Sequence, residues 1–234
     1  RVSGMTLDRF AQRRIFEPLG MHDTMFRPSS SLVSRIAPTE PCTPDGWPCG
    51  GPGATMLRGE VHDPTARRMG GVAGHAGLFS TAADLTIFCR MLLSGGTVSG
   101  SRILAPLTIA RMTAPATPAR LMSRRGLGWD IDSSLSSSRG DLLPLGSFGH
   151  TGFTGTSLWI DPLTRTFVIF LSSRLHPDGQ GDVVDLRARI ATVAAAAITE
   201  VPGGRRAALP FRTTDFGPSG AVSREPTRAV MTGI

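Results

Sequence analysis

The chain of 234 residues contains no Lys and no Tyr, and all 25 of its basic residues are Arg. No ammonium or phenol side chain is therefore available within it for acid–base work. Aromatic residues make up only 6% of the chain, so the net charge of +7 is not accompanied by the interleaved aromatics of a single-strand nucleic-acid surface. The arginines are scattered, with pairs at Arg13-Arg14, Arg67-Arg68, Arg124-Arg125 and Arg205-Arg206. The expectation is a solvated basic surface and no nucleic-acid partner. No apolar run is long enough to span a bilayer, and no charged-then-apolar leader follows Arg1. Three cysteines give little. Cys42 and Cys49 bracket a Pro- and Gly-containing loop, and their spacing leaves a loop disulfide open in an exported protein. It is not a zinc-ligand spacing, and no His lies beside it in sequence. Cys89 falls on an apolar helical face and reads as core. No metal and no cofactor are expected.

Hydrophobic residues make up 40% of the chain, enough to bury a core. Thr6 caps a predicted helix carrying Leu7, Phe10, Ala11 and Ile15, which Pro18 ends or kinks before Gly20 turns the chain. Residues 27–71 are rich in Pro, Gly, Ser and Thr and read as a long ordered loop of the kind that carries function. In STAADLTIFCRMLLSGG, Thr81 and Asp84 make a capping-box pattern, Leu85, Phe88, Cys89 and Leu92 a stripe, and Gly95-Gly96 a stop. A short helix is predicted over Ala105–Thr113. The period then changes. GLGWDI reads as a strand, and TGTSLWIDP and TFVIFLSS read as an antiparallel hairpin with Asp161 in its turn. DVVDLRARIATVAAAAI reads as a helix whose apolar face packs on that sheet. The fold expected is α+β, an antiparallel sheet flanked by helices. One domain is expected over residues 1–201, and residues 202–234 read as a poorly ordered tail.

No G-x-S-x-G, P-loop or dinucleotide fingerprint occurs. The chain does contain FGHTGFTGTSLWIDP, in which Gly149, Gly152 and Gly155 interrupt strand-forming sequence. Glycines there imply a close approach to the backbone. His62, Asp63, His75 and His150 are too scattered for a metal motif. Trp129 reads as core, and His62 and Asp63 as organisers of the long loop.

Several blocks in order, IFEPLGMHDTMF, IAPTE, GEVHDPTA, GGVAGHAGLFSTAADL, GLGW, GHTGFTGTSLWIDP and SSRLHP, resemble the serine β-lactamase and penicillin-binding-protein superfamily, on the side of class C enzymes, DD-peptidases and related esterases. The resemblance implies a β-lactamase/DD-peptidase-like fold and a serine acyl-enzyme mechanism on an ester, a cell-wall peptide or a β-lactam. It also implies an exported or periplasmic bacterial location. His150-Thr151-Gly152 matches the family's third motif. By that match, Phe153 supplies a backbone N–H to the oxyanion hole, and His150, Thr151 and Gly152 border the substrate. His75 and Ala76 fall in a loop that runs beside the cleft, although His75 can equally pin that loop. Histidine stands where many β-lactamases have Lys and carries less charge at neutral pH. This favours esters and peptides over penicillins. The family's Ser-x-x-Lys and Tyr-x-Asn motifs cannot exist in a sequence without Lys and Tyr. The chain is therefore expected to be an N-terminally truncated part of its domain, inactive alone, with a sheet edge left bare. The alternative expectation is a non-catalytic relative that binds cell-wall peptide or a partner protein.

Overall fold

Phe148–Thr151 and Ser157–Asp161 pair antiparallel with Trp159 opposite Gly149, and the rest of the fold is arranged around this pair. The computed structural model describes residues 2–43, 49–118, 120–121, 123–133 and 136–201. The tail expected at residues 202–234 lies outside the described residues.

The five-stranded sheet is an antiparallel meander. Its strands are β1 (Arg124–Arg125), β2 (Asp130–Asp132), β3 (Phe148–Thr151), β4 (Ser157–Asp161) and β5 (Thr166–Phe170). The spatial order is β5-β4-β3-β2-β1, so β5 and β1 are its edges. The helices are α1 (Leu7–Ala11), α2 (Pro64–Arg68), α3 (Ala82–Leu93), α4 (Pro106–Thr113) and α5 (Val184–Ala196). The α+β architecture expected from the sequence is the one observed.

Two predicted elements are modified. The GLGW segment is a turn, closed by Gly126 N–H donating to the Trp129 carbonyl (2.9 Å), and the strand begins only at Asp130. Two glycines in four residues favour that turn over a ladder. The helix after Thr6 does not stop before Pro18. It widens into a π turn over Gln12–Phe16, continues through Glu17–Leu19, and ends at Gly20 in the left-handed region (φ 71°).

The capping box at α3 is half as expected. Thr81 accepts a bond from the Asp84 N–H (3.3 Å). The Asp84 carboxylate instead receives the Asp23 N–H and the Thr24 hydroxyl, both at 2.8 Å. It thereby ties α3 to the segment after α1.

Strand alternation divides the core. On one face Ile131, Phe148 and Ile160 meet Cys89, Met91 and Leu92 of α3 and Phe16. Trp129 packs edge-on against Phe148, with centroids 5.1 Å apart. On the other face Trp159 meets Leu143 and Ala195 of α5. Asp161 behaves as a hairpin residue: its carboxylate accepts from the Leu163 and Thr164 N–H groups (3.1 and 3.0 Å).

Helix α5 differs from expectation. Its buried face is Arg187, Ala191 and Ala195. Small alanines let the helix lie close to Trp159. The larger residues point outward, with Leu186 48% and Val193 70% exposed. Together with the uncharged, β-branched and aromatic edge strand TFVIF, this is a surface prone to self-association. The pair Leu186→Gln and Val193→Gln should reduce self-association in light scattering while shifting stability by no more than about 0.5 kcal/mol each. Unchanged association in the pair would sink this expectation.

Candidate functional site

The triplet predicted as a cleft motif ends β3, and the chain returns into β4 through residues 152–156. Gly152 N–H donates to the Thr156 carbonyl (2.7 Å), and Gly155 N–H to the Gly152 carbonyl (3.1 Å). Gly155 takes φ 129°, and a Cβ there would stand 2.7 Å from both the Arg174 nitrogen and the Ser172 carbonyl oxygen. Only glycine fits. A Cβ on Gly149 would stand 2.5 Å from Trp159 Cδ2. At Gly152 the space a side chain would need is filled by the Thr156 hydroxyl. The structure thus gives these glycines reasons internal to the chain.

Every carbonyl from 152 to 155 is held from outside the turn or across it. Arg187 Nη2 donates to Gly152 (2.8 Å) and its Nε to Gly155 (3.2 Å). Arg174 Nε donates to Phe153 (2.7 Å), and its own N–H to Thr154 (2.9 Å). The Ser172 hydroxyl donates to Gly155 (2.8 Å). The Arg174 guanidinium also lies 4.4 Å from the Phe153 ring centroid. Among the described residues, no acceptor is bonded to the Phe153 N–H. The Thr154 N–H likewise has no acceptor among the described residues, so a turn whose carbonyls are all held presents fixed N–H donors to a ligand.

Sequence reasoning missed this clamp. It placed the arginines on a solvated surface, yet Arg187 is buried on α5, and Arg139 is buried with Nη1 donating to the Ile131 carbonyl (2.7 Å). Burial pulls the Arg187 guanidinium below its ordinary value. The Arg174 charge adds to this, and Asp182 opposes it. The available signal was the spacing of Arg187 with Ala191 and Ala195, four residues apart and so on one helical face.

His150 is exposed, and its Nδ1–H donates to the Thr151 carbonyl (2.8 Å). The acceptor fixes that tautomer, so a neutral ring presents a lone pair at Nε2. An open groove of about 400 Å³ adjoins the turn, lined by Thr151, Gly152, Phe153, Arg174, Asp182 and Arg187 among others.

His150, Thr151, Gly152 and Phe153 therefore lie together. His75 and Ala76 make their contacts within their own loop. His75 Nε2 bonds Asp63 Oδ1 (3.0 Å), and Ala76 packs on Val61, Ala66 and Ala73. No hydrogen bond or ring contact among the described residues ties either to the turn. Asp63 also caps α2 by accepting the Ala66 N–H (2.6 Å). Burial pushes its carboxyl upward, but the Ala66 N–H and His75 outweigh this and hold it below the usual range. The loop residue that does reach the turn is His62, stacked on Phe153 with centroids 5.7 Å apart.

The loop also holds what the sequence separated. Cys42 and Cys49 are joined as a disulfide. The expectation that no His stands beside them holds along the chain but not in space. His62 and Glu40 fold onto the pair, and the four donor atoms lie within 4.8 Å of one another.

A helix-covered antiparallel sheet of this kind is the fold of β-lactamases and penicillin-binding proteins. The chain belongs to the Beta-lactamase family, whose profile matches residues 1–193. It is 35% identical over 185 residues to a Salmonella gallinarum protein described as a "putative D-alanyl-D-alanine carboxypeptidase". That match covers 75% of this chain and 42% of the relative, so the chain spans less than half the relative's length. In fold it is similar to simvastatin synthase from Aspergillus terreus (TM-score 0.60, 20% identity, 86% of this chain and 53% of that one). It is also similar to a β-lactamase from Mycobacterium bovis (TM-score 0.52, 24% identity, 85% and 58%). No helix among the described residues is long and apolar enough to cross a membrane.

Proposed function

We propose that the protein to which this chain belongs is a serine acyl-transfer hydrolase acting through a covalent acyl-enzyme on peptide or ester substrates of the cell-wall type. In this reading residues 150–153 form the oxyanion and substrate edge of its cleft. The observation that carries the reading is the Phe153 N–H. It has no protein acceptor among the described residues, stands on a turn clamped at four carbonyls, and belongs to a residue that lines an open groove. Attack of a serine on a carbonyl puts negative charge on oxygen, and one fixed N–H donor is worth about 2.7–4 kcal/mol to that transition state. The Thr151 hydroxyl would take a substrate carbonyl or carboxylate.

The groove's charge is two guanidinium groups, Arg174 and Arg187, against the carboxylate of Asp182. That excess suits a substrate ending in a carboxylate, and the carboxypeptidase name of the relative supports the same class. With Nδ1 donating to the Thr151 carbonyl, His150 leaves Nε2 for the substrate side in place of the ammonium of Lys. Peptides and esters are therefore ranked above penicillins.

No serine in the chain stands in a Ser-x-x-Lys motif, because the chain has no Lys. Incubated alone with an activated ester, a chromogenic cephalosporin and a fluorescent penicillin, it should show neither turnover nor labelling above a His150→Ala variant. Labelling of a serine within these 234 residues would overturn the proposal. The absence of Lys and Tyr also favours a second reading, a binding module for cell-wall peptide. An intact Ser-x-x-Lys and Tyr-x-Asn encoded upstream of Arg1 support the enzyme, and substituted motifs support the module.

A further inference from the structure

The long loop brings Glu40, Cys42, Cys49 and His62 into one sphere in the interior. One donor atom from each lies within 4.8 Å of the other three. Glu40, Cys42 and His62 are buried. Glu40 and Cys42 come from one side of a hairpin in which Pro41–Cys42 pairs with Thr55–Met56. Gly50 N–H closes the hairpin onto the Pro41 carbonyl (2.8 Å), which fixes the position of Cys49. His62 enters from the far end of the loop, immediately before Asp63 caps α2. These backbone contacts hold the donors together beside the disulfide.

We propose that these four residues form a redox-gated site for a thiophilic divalent cation of the zinc type. The disulfide closes the site when oxidised, and reduction frees both sulfurs to join the histidine and the glutamate as ligands. The proposal stands apart from the acyl-transfer reading. Its chemistry is that of the donors: two soft thiolates, an imidazole and a carboxylate, a set that zinc binds tetrahedrally. In such a site, with Zn–S near 2.3 Å and Zn–N or Zn–O near 2.0–2.1 Å, neighbouring donors stand roughly 3.3–3.8 Å apart. Cys49 Sγ and His62 Nε2 are already 3.7 Å apart. His62 Nε2 and Glu40 Oε1 are 2.6 Å apart around a shared proton, and a cation between them need open that contact only modestly. The sulfurs must part from bonding distance to about 3.8 Å, a movement of under 1 Å each.

The step balances. A dithiol reductant gives two electrons and two protons to the Cys42–Cys49 disulfide and becomes a disulfide itself, leaving two cysteine thiols. Cation binding then releases both thiol protons to solvent. The proton shared by His62 Nε2 and Glu40 is displaced as well, to the ring's Nδ1 when the pair holds one proton and to solvent when Nδ1 is already protonated, which frees Nε2 and the carboxylate to ligate. His62 also stacks on Phe153, which places this cluster against the turn that borders the candidate cleft.

The test uses the whole chain, reduced anaerobically with a dithiol, desalted and titrated with Co²⁺ as a spectroscopic probe, then with Zn²⁺ in competition. The reduced chain should bind one equivalent with thiolate-to-cobalt charge-transfer bands and tetrahedral visible bands, displaced by Zn²⁺. The oxidised chain should show neither. Zn²⁺ should raise the melting temperature of the reduced wild-type chain and leave the oxidised one unchanged, a readout needing no variant. Glu40→Gln and His62→Gln should each weaken binding by more than the roughly 10–100-fold that an outer-shell loss costs. Cys89→Ala should bind as wild type does, since burial pushes the Cys89 thiol up to about 12. Equal binding by the oxidised chain would overturn the proposal. So would absence of the bands after reduction, or their persistence in the Cys42→Ser, Cys49→Ser double variant.

Discussion

Trp159→Ala should destabilise the chain by about 3–5 kcal/mol, read as a fall in the urea midpoint at constant m-value. Trp159 is 1% exposed and fills the face of the sheet beneath α5, against Leu143 and Ala195. Its indole N–H donates to the Ser138 hydroxyl (3.0 Å), so truncation also strands a buried polar partner. Domains of this kind are stable by only about 5–15 kcal/mol, so the loss is a large share of the total. Trp159→Phe should recover most of the packing and isolate the hydrogen bond, costing about 1–3 kcal/mol. The same ring explains Gly149. It lies opposite Trp159 in the register and leaves no room for a Cβ, so Gly149→Ala should also destabilise. A loss under about 1 kcal/mol for Trp159→Ala would mean that α5 does not close on the sheet as described.

What the sequence made legible was local. The hairpin, α3 with its Thr81 cap, and the His-Thr-Gly strand all announce themselves through period, turn chemistry or contiguous residues. The glycines of FGHTGFTG were legible as a demand for close approach, but not as to what approaches. Part of the answer is this chain's own Trp159, Thr156 and Arg174. Contacts between distant segments carried no such signal. Arg187 clamps carbonyls 32 and 35 residues earlier in the chain. Glu40 meets His62 across 22 residues, and neither spacing belongs to a motif. The pairing of Cys49 with His62 was hidden because ligand spacings are recognisable only when a regular element sets them, and this loop has little regular structure.

The clamp on the turn leads to the second large effect. In the full-length protein Arg187→Met should lower kcat by about 100-fold, the order of loss that a shift of about 1 Å in a reacting group produces. Met keeps the length and apolar stem of Arg but supplies no donor, so the Gly152 and Gly155 carbonyls each lose a donor together and keep only the Gly155 N–H and the Ser172 hydroxyl. Phe153 follows, because it lies between these two carbonyls and its own is held by Arg174 alone in either case. Arg187 touches no reacting atom in this scheme. It is a positioning residue, and its loss should therefore appear in kcat with KM changed much less. Lysine should rescue only part of the activity, since one ammonium on a flexible stem does not reproduce a planar fork spanning two carbonyls. Arg189→Met, two residues on and exposed, is the matched control and should change stability by less than about 0.5 kcal/mol. If Arg187→Met instead raised KM and left kcat intact, Arg187 would be a substrate contact and the turn would owe its shape to Arg174 and Ser172. Hydrogen exchange at the Gly155 amide separates the two outcomes without any substrate. It should quicken when the clamp is lost and stay unchanged if Arg187 serves only the ligand.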